Sequence, residues 1–198
     1  MKDSFAADTD DVTIHYRDIS SILKQNGVIA GNFRGWKTVT TVNVDYPFCP
    51  KSTSRLVSGQ FWPIELTNGR FASGRVLQLK FLSGAQDRRM FLAGLMDWCG
   101  EAPPTSHSLD GAGLLEFGQA HTSMFSSNGF QVTGYRPLEN NSLEIPLALD
   151  SLPSRYTRVV RGFETVGLAT PDQHSLPVFS TWGMSVIVLL AQKYFVTR

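Results

Sequence analysis

Between Gly59 and Leu79 the chain reads GQFWPIELTNGRFASGRVLQL, two apolar runs set around a Thr-Asn-Gly-Arg corner. Phe61, Ile64 and Leu66 mark a first strand, and Pro63 inside it calls for a sheet edge or a bulge, because proline has no N–H to give a ladder. Asn68-Gly69 is a favoured pair for a type I′ hairpin turn, whose two central residues both need positive φ. In the return strand, Phe71 to Phe81, Val76, Leu77 and Leu79 are interleaved with Arg75, Gln78 and Lys80, and Gly74 marks a bulge or a close approach of backbone. After a polar corner at Ser83 to Asp87, RRMFLAGLMDW from Arg88 to Trp98 supplies a third strand. Three such strands make a meander, a unit that can curl into a small barrel.

Upstream, DISSILKQNG from Asp18 has an N-cap residue, Ile19, Ile22 and Leu23 at helical spacing and Gly27 as C-cap, which predicts a short helix. VTIHYR before it fits a strand or an extension of that helix. Trp36 to Phe48 is β-branched and predicts a strand, and Tyr46-Pro47 and Cys49-Pro50 then enforce extended backbone. Downstream, CGEAPPTS from Cys99 to Ser106 predicts a loop. LLEFGQAHTSMF, Leu114 to Phe125, has helical character that Gly111, Gly113 and Gly118 weaken. Asn128-Gly129 predicts a turn, with strand chemistry returning at Phe130, Val132 and Tyr135. EIPLALDSLPSRYTRVV and GFETVGLAT are mixed apolar pieces of undecided type. In STWGMSVIVLLAQKYF, Ser180 or Thr181 can cap a helix carrying Trp182, Val186, Leu189, Leu190 and Tyr194 at helical spacing, with a buried strand as the other reading of SVIVLL. The sum is an α+β fold: a leader and short helix over residues 1–31, then one domain over 32–198. Its centre is expected to be a strongly bent antiparallel sheet or small barrel flanked by N- and C-terminal helices.

Composition supports a globular core, since 42% of the 198 residues are hydrophobic and 13 are Phe and 4 Trp. Charged residues are 18% and the net charge is +1, so no basic field announces a nucleic-acid partner. The acidic N-terminal stretch (Asp3, Asp8, Asp10, Asp11) lacks a signal-peptide pattern. The longest apolar run, Val186 to Ala191, is far short of the about 20 residues a bilayer requires, so a cytoplasmic protein without membrane partner is expected. Cys49 and Cys99 read as free thiols of a reducing compartment, with a disulfide between them left open.

Nucleotide-binding, zinc-protease and α/β-hydrolase motifs are missing, and His15, His107, His121 and His174 show no metal spacing. No catalytic residue, metal or cofactor is therefore expected. A cysteine nucleophile set of Cys99, His121 and Asp97 would need a proximity that sequence cannot display. Gly118 to His121, GQAH, reads as a glycine turn and short helix or as the lining of a polar pocket, and Asp97-Trp98 as a strand end or a recognition edge. Trp36, Trp62 and Trp182 read as core or core-rim residues. Arg70, Arg75, Lys80, Arg88 and Arg89 crowd the central hairpins, which supports an alternative reading as a nucleic-acid-binding small β-barrel with bases stacked on exposed rings.

The run DYPFCPKSTSRLVSGQFWPIELTNGRFASGRVLQL continuing to FLAGLMDW resembles the immunity protein 26 family of bacterial polymorphic toxin systems. The resemblance rests on Gly59, Phe61, Pro63, Gly69, Phe71 and the Gly74-Arg75-Val76 triplet, with GQAH and LPVFSTWG, Leu176 to Gly183, as further similar segments. It extends over most of residues 32–195 and implies a non-enzymatic protein that binds and neutralises a cognate toxin domain. Such a protein buries about 800 Å² per partner around a few aromatic or charged anchors. Because loops that follow strands meet at one end of a barrel, Asp97, Trp98, Gln119 and His121 are the expected toxin contacts.

Overall fold

In the structure, a computed structural model that describes residues 44–197, the meander forms where the apolar alternation predicts it. The leader, the helix expected from Asp18 and residues 36–43 of the expected Trp36–Phe48 strand lie outside the described residues. Strands β1 (Gln60–Glu65), β2 (Phe71–Leu82), β3 (Ala85–Gly100) and β4 (Leu114–His121) pair antiparallel in sequence order. Short β5 (Gly134–Tyr135) adds to the free side of β1, and β9 (Thr181–Trp182) pairs parallel with β4. The fold is α+β, with this mixed six-stranded sheet and a second antiparallel sheet of β6 (Leu147–Leu149), β7 (Arg158–Arg161) and β8 (Glu164–Leu168). Its α-helices among the described residues are α1 (Ser123–Asn128) and α2 (Val186–Phe195). Among the described residues the large sheet runs from edge strand β5 to edge strand β9 and does not close into a barrel. Three register shifts between β2 and β3 bend it instead, as bulged strands do.

The first turn of the meander differs from its expected type, and the second is shorter than the expected corner. Leu66 C=O accepts from Gly69 N–H at 2.9 Å, Leu66 N–H donates to Arg70 C=O at 2.8 Å, and Gly69 has φ +79°. Thr67 and Asn68 are thus the central residues of a type I turn closed by a left-handed glycine, and Asn68 Oδ1 holds the next N–H, of Arg70, at 3.1 Å. The two successive positive φ values of a type I′ turn occur at Ser83 (+49°) and Gly84 (+81°), which shrinks the polar corner to two residues and puts Ala85 to Asp87 in β3. Pro63 meets the edge requirement. Phe61 C=O points to the β5 side, where it accepts from Thr133 N–H at 3.0 Å, and Pro63 has the same orientation beyond the reach of β5.

Leu114–His121 is strand, not helix. Gly118 and Ala120 face the core, and Gly118 lies under the Trp182 indole where a Cβ would overlap the ring. Pairing to β3 along most of its length outweighs the weak helical character of the segment, and the helix starts only at Ser123. Cys99 and Gly100 belong to β3, so the loop begins at Glu101. Trp182 sits in β9 and the terminal helix starts at Val186, with Leu189 facing solvent.

One face of the large sheet carries the main core. Gly74 stands opposite Trp62, and a Cβ there would overlap the indole, so the glycine serves both a register shift and a close ring contact. Trp62, Phe91 and Phe125 form an aromatic trio with centroids 5.1–6.3 Å apart, and α2 closes over this face with Ile187 and Ala191. On the opposite face Phe61, Met96, Leu109 and Ala112 pack together beside a buried polar hub centred on Arg75. Arg75 Nη1 donates to Asn141 Oδ1 at 3.2 Å and Nη2 to the carbonyls of Arg136 and of Pro137, the latter at 3.0 Å. Arg136 in turn donates to Ser106 C=O at 2.8 Å and pairs with Asp110, while Asn141 Nδ2 donates to Leu109 C=O at 2.6 Å. Desolvation pulls the Arg75 guanidinium down to about 10, still well above neutral pH, so it remains a cation fastening two loops to β2.

Candidate functional site

The four residues expected to face a partner are divided between the two ends of the β3–β4 pair. His121 stands opposite Met90 and Gln119 opposite Leu92, whereas Asp97 and Trp98 lie five to eight residues further along β3, roughly 20 Å of extended strand. Gln119 Oε1 accepts from Lys80 Nζ at 3.2 Å, and His121 Nδ1 accepts from Ser123 N–H at 3.0 Å at the start of α1. Trp98 packs against the Phe61–Met96 cluster. Asp97 is exposed, its N–H held by Gly113 C=O at 2.9 Å. Three of the four therefore have structural partners, and they do not converge on one patch.

The cysteine set does not assemble either. Cys99 lies opposite Ala72, about 30 Å along β3 from the Met90–His121 pair. Both cysteines are free thiols, Cys49 exposed and Cys99 half-buried, and burial pushes the Cys99 thiol up, away from the reactive thiolate. No group of His, Cys, Asp and Glu among the described residues has the arrangement of a metal site. No helix among them is long and apolar enough to cross a membrane.

The expected basic cluster also divides. Arg75 is the internal hub, Arg70 pairs with Glu101 at 3.1 Å, and Lys80 lies 5.4 Å over the Phe163 ring. Arg88 and Arg89 point outward beside Lys51.

Four of the exposed large apolar side chains among the described residues lie in the segment whose structure the sequence left undecided. Leu152 (77% exposed), Tyr156 (69%), Leu168 (67%) and Val166 (61%) gather on β8 and on the β6–β7 loop. Leu168 stands opposite Arg158, and Ala169 N–H donates to Thr157 C=O at 2.9 Å, which brings Tyr156 beside the end of β8. The loop is braced from within. Thr157 Oγ1 donates to Leu152 C=O at 2.8 Å and accepts from Ser154 N–H at 2.8 Å, and Asp150 accepts from Arg158 N–H at 3.0 Å and Arg158 Nε at 2.8 Å. These backbone and guanidinium contacts hold the Asp150 carboxyl below its ordinary range, the Arg158 N–H contributing most. Among the described residues β8 pairs on one side alone, with β7, and so presents a strand edge open to them. Arg155 stacks 4.6 Å over the Tyr156 ring.

An open edge with aliphatic side chains, a tyrosine and a stacked arginine, held on a braced loop, has the chemistry of a protein-binding surface. The Val166-Gly167-Leu168 alternation was the signal in the sequence that could have located it. Compared with protein-family models, with curated proteins and with solved structures, the chain matches none.

Proposed function

We propose that this chain is an immunity protein that binds and neutralises a cognate toxin domain in the cytoplasm, without catalysis, through the β8 edge and the Tyr156 loop. The observation that carries the reading is that braced, exposed group of Leu152, Tyr156, Val166 and Leu168, joined by the stacked Arg155. Tyrosine and arginine are the side chains that most often anchor protein interfaces. Supporting it, three of the residues on which the immunity-family resemblance rests build scaffold: Gly69 the turn, Gly74 the Trp62 contact, Arg75 the hub. Recognition is then left to surfaces outside that signature.

The test is co-expression with the toxin encoded beside it. Growth should be protected by the unaltered chain and lost with Leu168→Glu or Tyr156→Ala, while both variants keep the parent circular-dichroism spectrum. Protection that survives both substitutions would remove this surface from the reading, and an absence of complex with the unaltered chain on gel filtration would remove the reading itself.

A further inference from the structure

We propose that the β2–β3 end of the large sheet holds a site for a phosphoryl oxyanion, lined by Lys51, Ser52, Arg88 and Arg89. Between the pairs Leu79–Phe91 and Phe81–Gln86, β2 contributes Lys80 alone whereas β3 contributes Asp87, Arg88, Arg89 and Met90. The extra residues bulge outward, and their form is fixed from three sides. Asp87 Oδ1 accepts the N–H groups of Arg89 at 2.8 Å and Met90 at 3.0 Å. Arg89 C=O accepts from Thr122 N–H at 2.8 Å. Thr53 Oγ1 donates to Asp87 C=O, and Gln86 Nε2 donates to Thr53 C=O at 2.8 Å, which draws the turn carrying Lys51 and Ser52 against the bulge.

The result is a surface concavity of about 250 Å³ lined by three cations and a hydroxyl. The ion pairs among the described residues are Arg70–Glu101, Arg136–Asp110 and Arg158–Asp150, so none of the three cations has a carboxylate partner there. Side by side they repel one another, and an anion seated between them removes that repulsion. A carboxylate would leave most of the charge unmatched. A phosphoryl group offers more acceptor oxygens and up to two negative charges, and guanidinium groups bind it in bidentate fashion. The adjacent hairpin tip exposes Phe81 and Leu82, an apolar platform next to the cations that suits a phosphate carried on a larger molecule. This site is separate from the β8 edge, so it stands or falls independently of the toxin reading.

Titration of the isotopically labelled full chain, at low salt, with inorganic phosphate, pyrophosphate and a short oligouridylate tests the assignment. Amide signals of Ser52, Arg88 and Arg89 and the two guanidinium Nε–H signals should shift and saturate. The Arg88→Gln/Arg89→Gln variant should bind at least tenfold more weakly, whereas Arg161→Gln/Lys193→Gln, with the same charge change elsewhere, should bind as the parent does. Tighter binding of pyrophosphate than of oligouridylate would identify a small phosphate ester as the source, and the reverse order a nucleic-acid backbone. Equal weakening by the two double variants, or no saturable shift with any ligand at millimolar concentration, would overturn the site.

Discussion

Trp62 and Gly74 show how one residue fixes another across a strand pair. The indole lies flat over the position a Cβ would occupy, within the Trp62–Phe91–Phe125 trio. Gly74→Ala should therefore act as an overpacking change and cost about 1–3 kcal/mol in urea unfolding, with a shifted tryptophan emission. That glycine was legible as a bulge or close contact, but its partner ring was not. Charge alone groups Arg75 with the other cations of the central hairpins and cannot reveal a buried role. The acceptors of Arg75, the carbonyls of Arg136 and Pro137, lie more than sixty residues away. Arg75→Met would leave them without their donor and should destabilise the chain by about 1–3 kcal/mol, measured the same way. Replacement of Arg70, which is half exposed and paired with an exposed Glu101, should change stability by less than about 1 kcal/mol.

At the scale of elements, strands followed from alternation while turn types and the β4 assignment did not. Asn-Gly chemistry is compatible with either hairpin loop, and the choice falls to the register of Glu65 against Phe71, which leaves one residue too many for a two-residue turn. The type I′ conformation falls instead on Ser83-Gly84, where serine holds a left-handed backbone at some cost. Ser83→Asn should raise stability by on the order of 0.5 kcal/mol, read as a shift of the thermal midpoint at unchanged cooperativity. Gly69→Ala should lower it by about 1–2 kcal/mol. Of the two readings of the C-terminal run the helix is the one that forms, and it starts later than Ser180 or Thr181 because Trp182 continues the helical spacing by coincidence. β-pairing of Ala120 with Trp182 claims that residue for the sheet.

Across the whole molecule the two sheets meet through few contacts. Gln78 Oε1 accepts from Phe163 N–H at 2.9 Å, and Phe163 and Phe117 each lie against Phe179, at 6.0 and 6.3 Å between centroids. The small sheet, with its exposed β8, should open below the global unfolding free energy, so amides of β7 and β8 should exchange with deuterium faster than those of β2 and β3. Asp150 adds a pH dependence. Its carboxyl titrates below the unfolded value near 3.9, so its support of the β6–β7 loop is complete above that pH and is lost as pH falls through the folded value. Acidification through the folded value should lower the protection of the Thr157 and Arg158 amides relative to their intrinsic exchange rates in the parent, and Asp150→Asn should show that lowered protection already at pH 7.

By itself the sequence determined the α+β class and the meander, and narrowed Pro63 to an edge or a bulge and the C-terminal apolar run to a helix or a buried strand, because alternation, proline and glycine act within a few residues. Tertiary structure alone decided that the sheet stays open among the described residues, that Leu114–His121 is strand, that Arg75 is internal, and that Tyr156 and Leu168 are left exposed. Each of those outcomes depends on which distant side chain fills, covers or leaves bare a given position, and no local pattern carries that information.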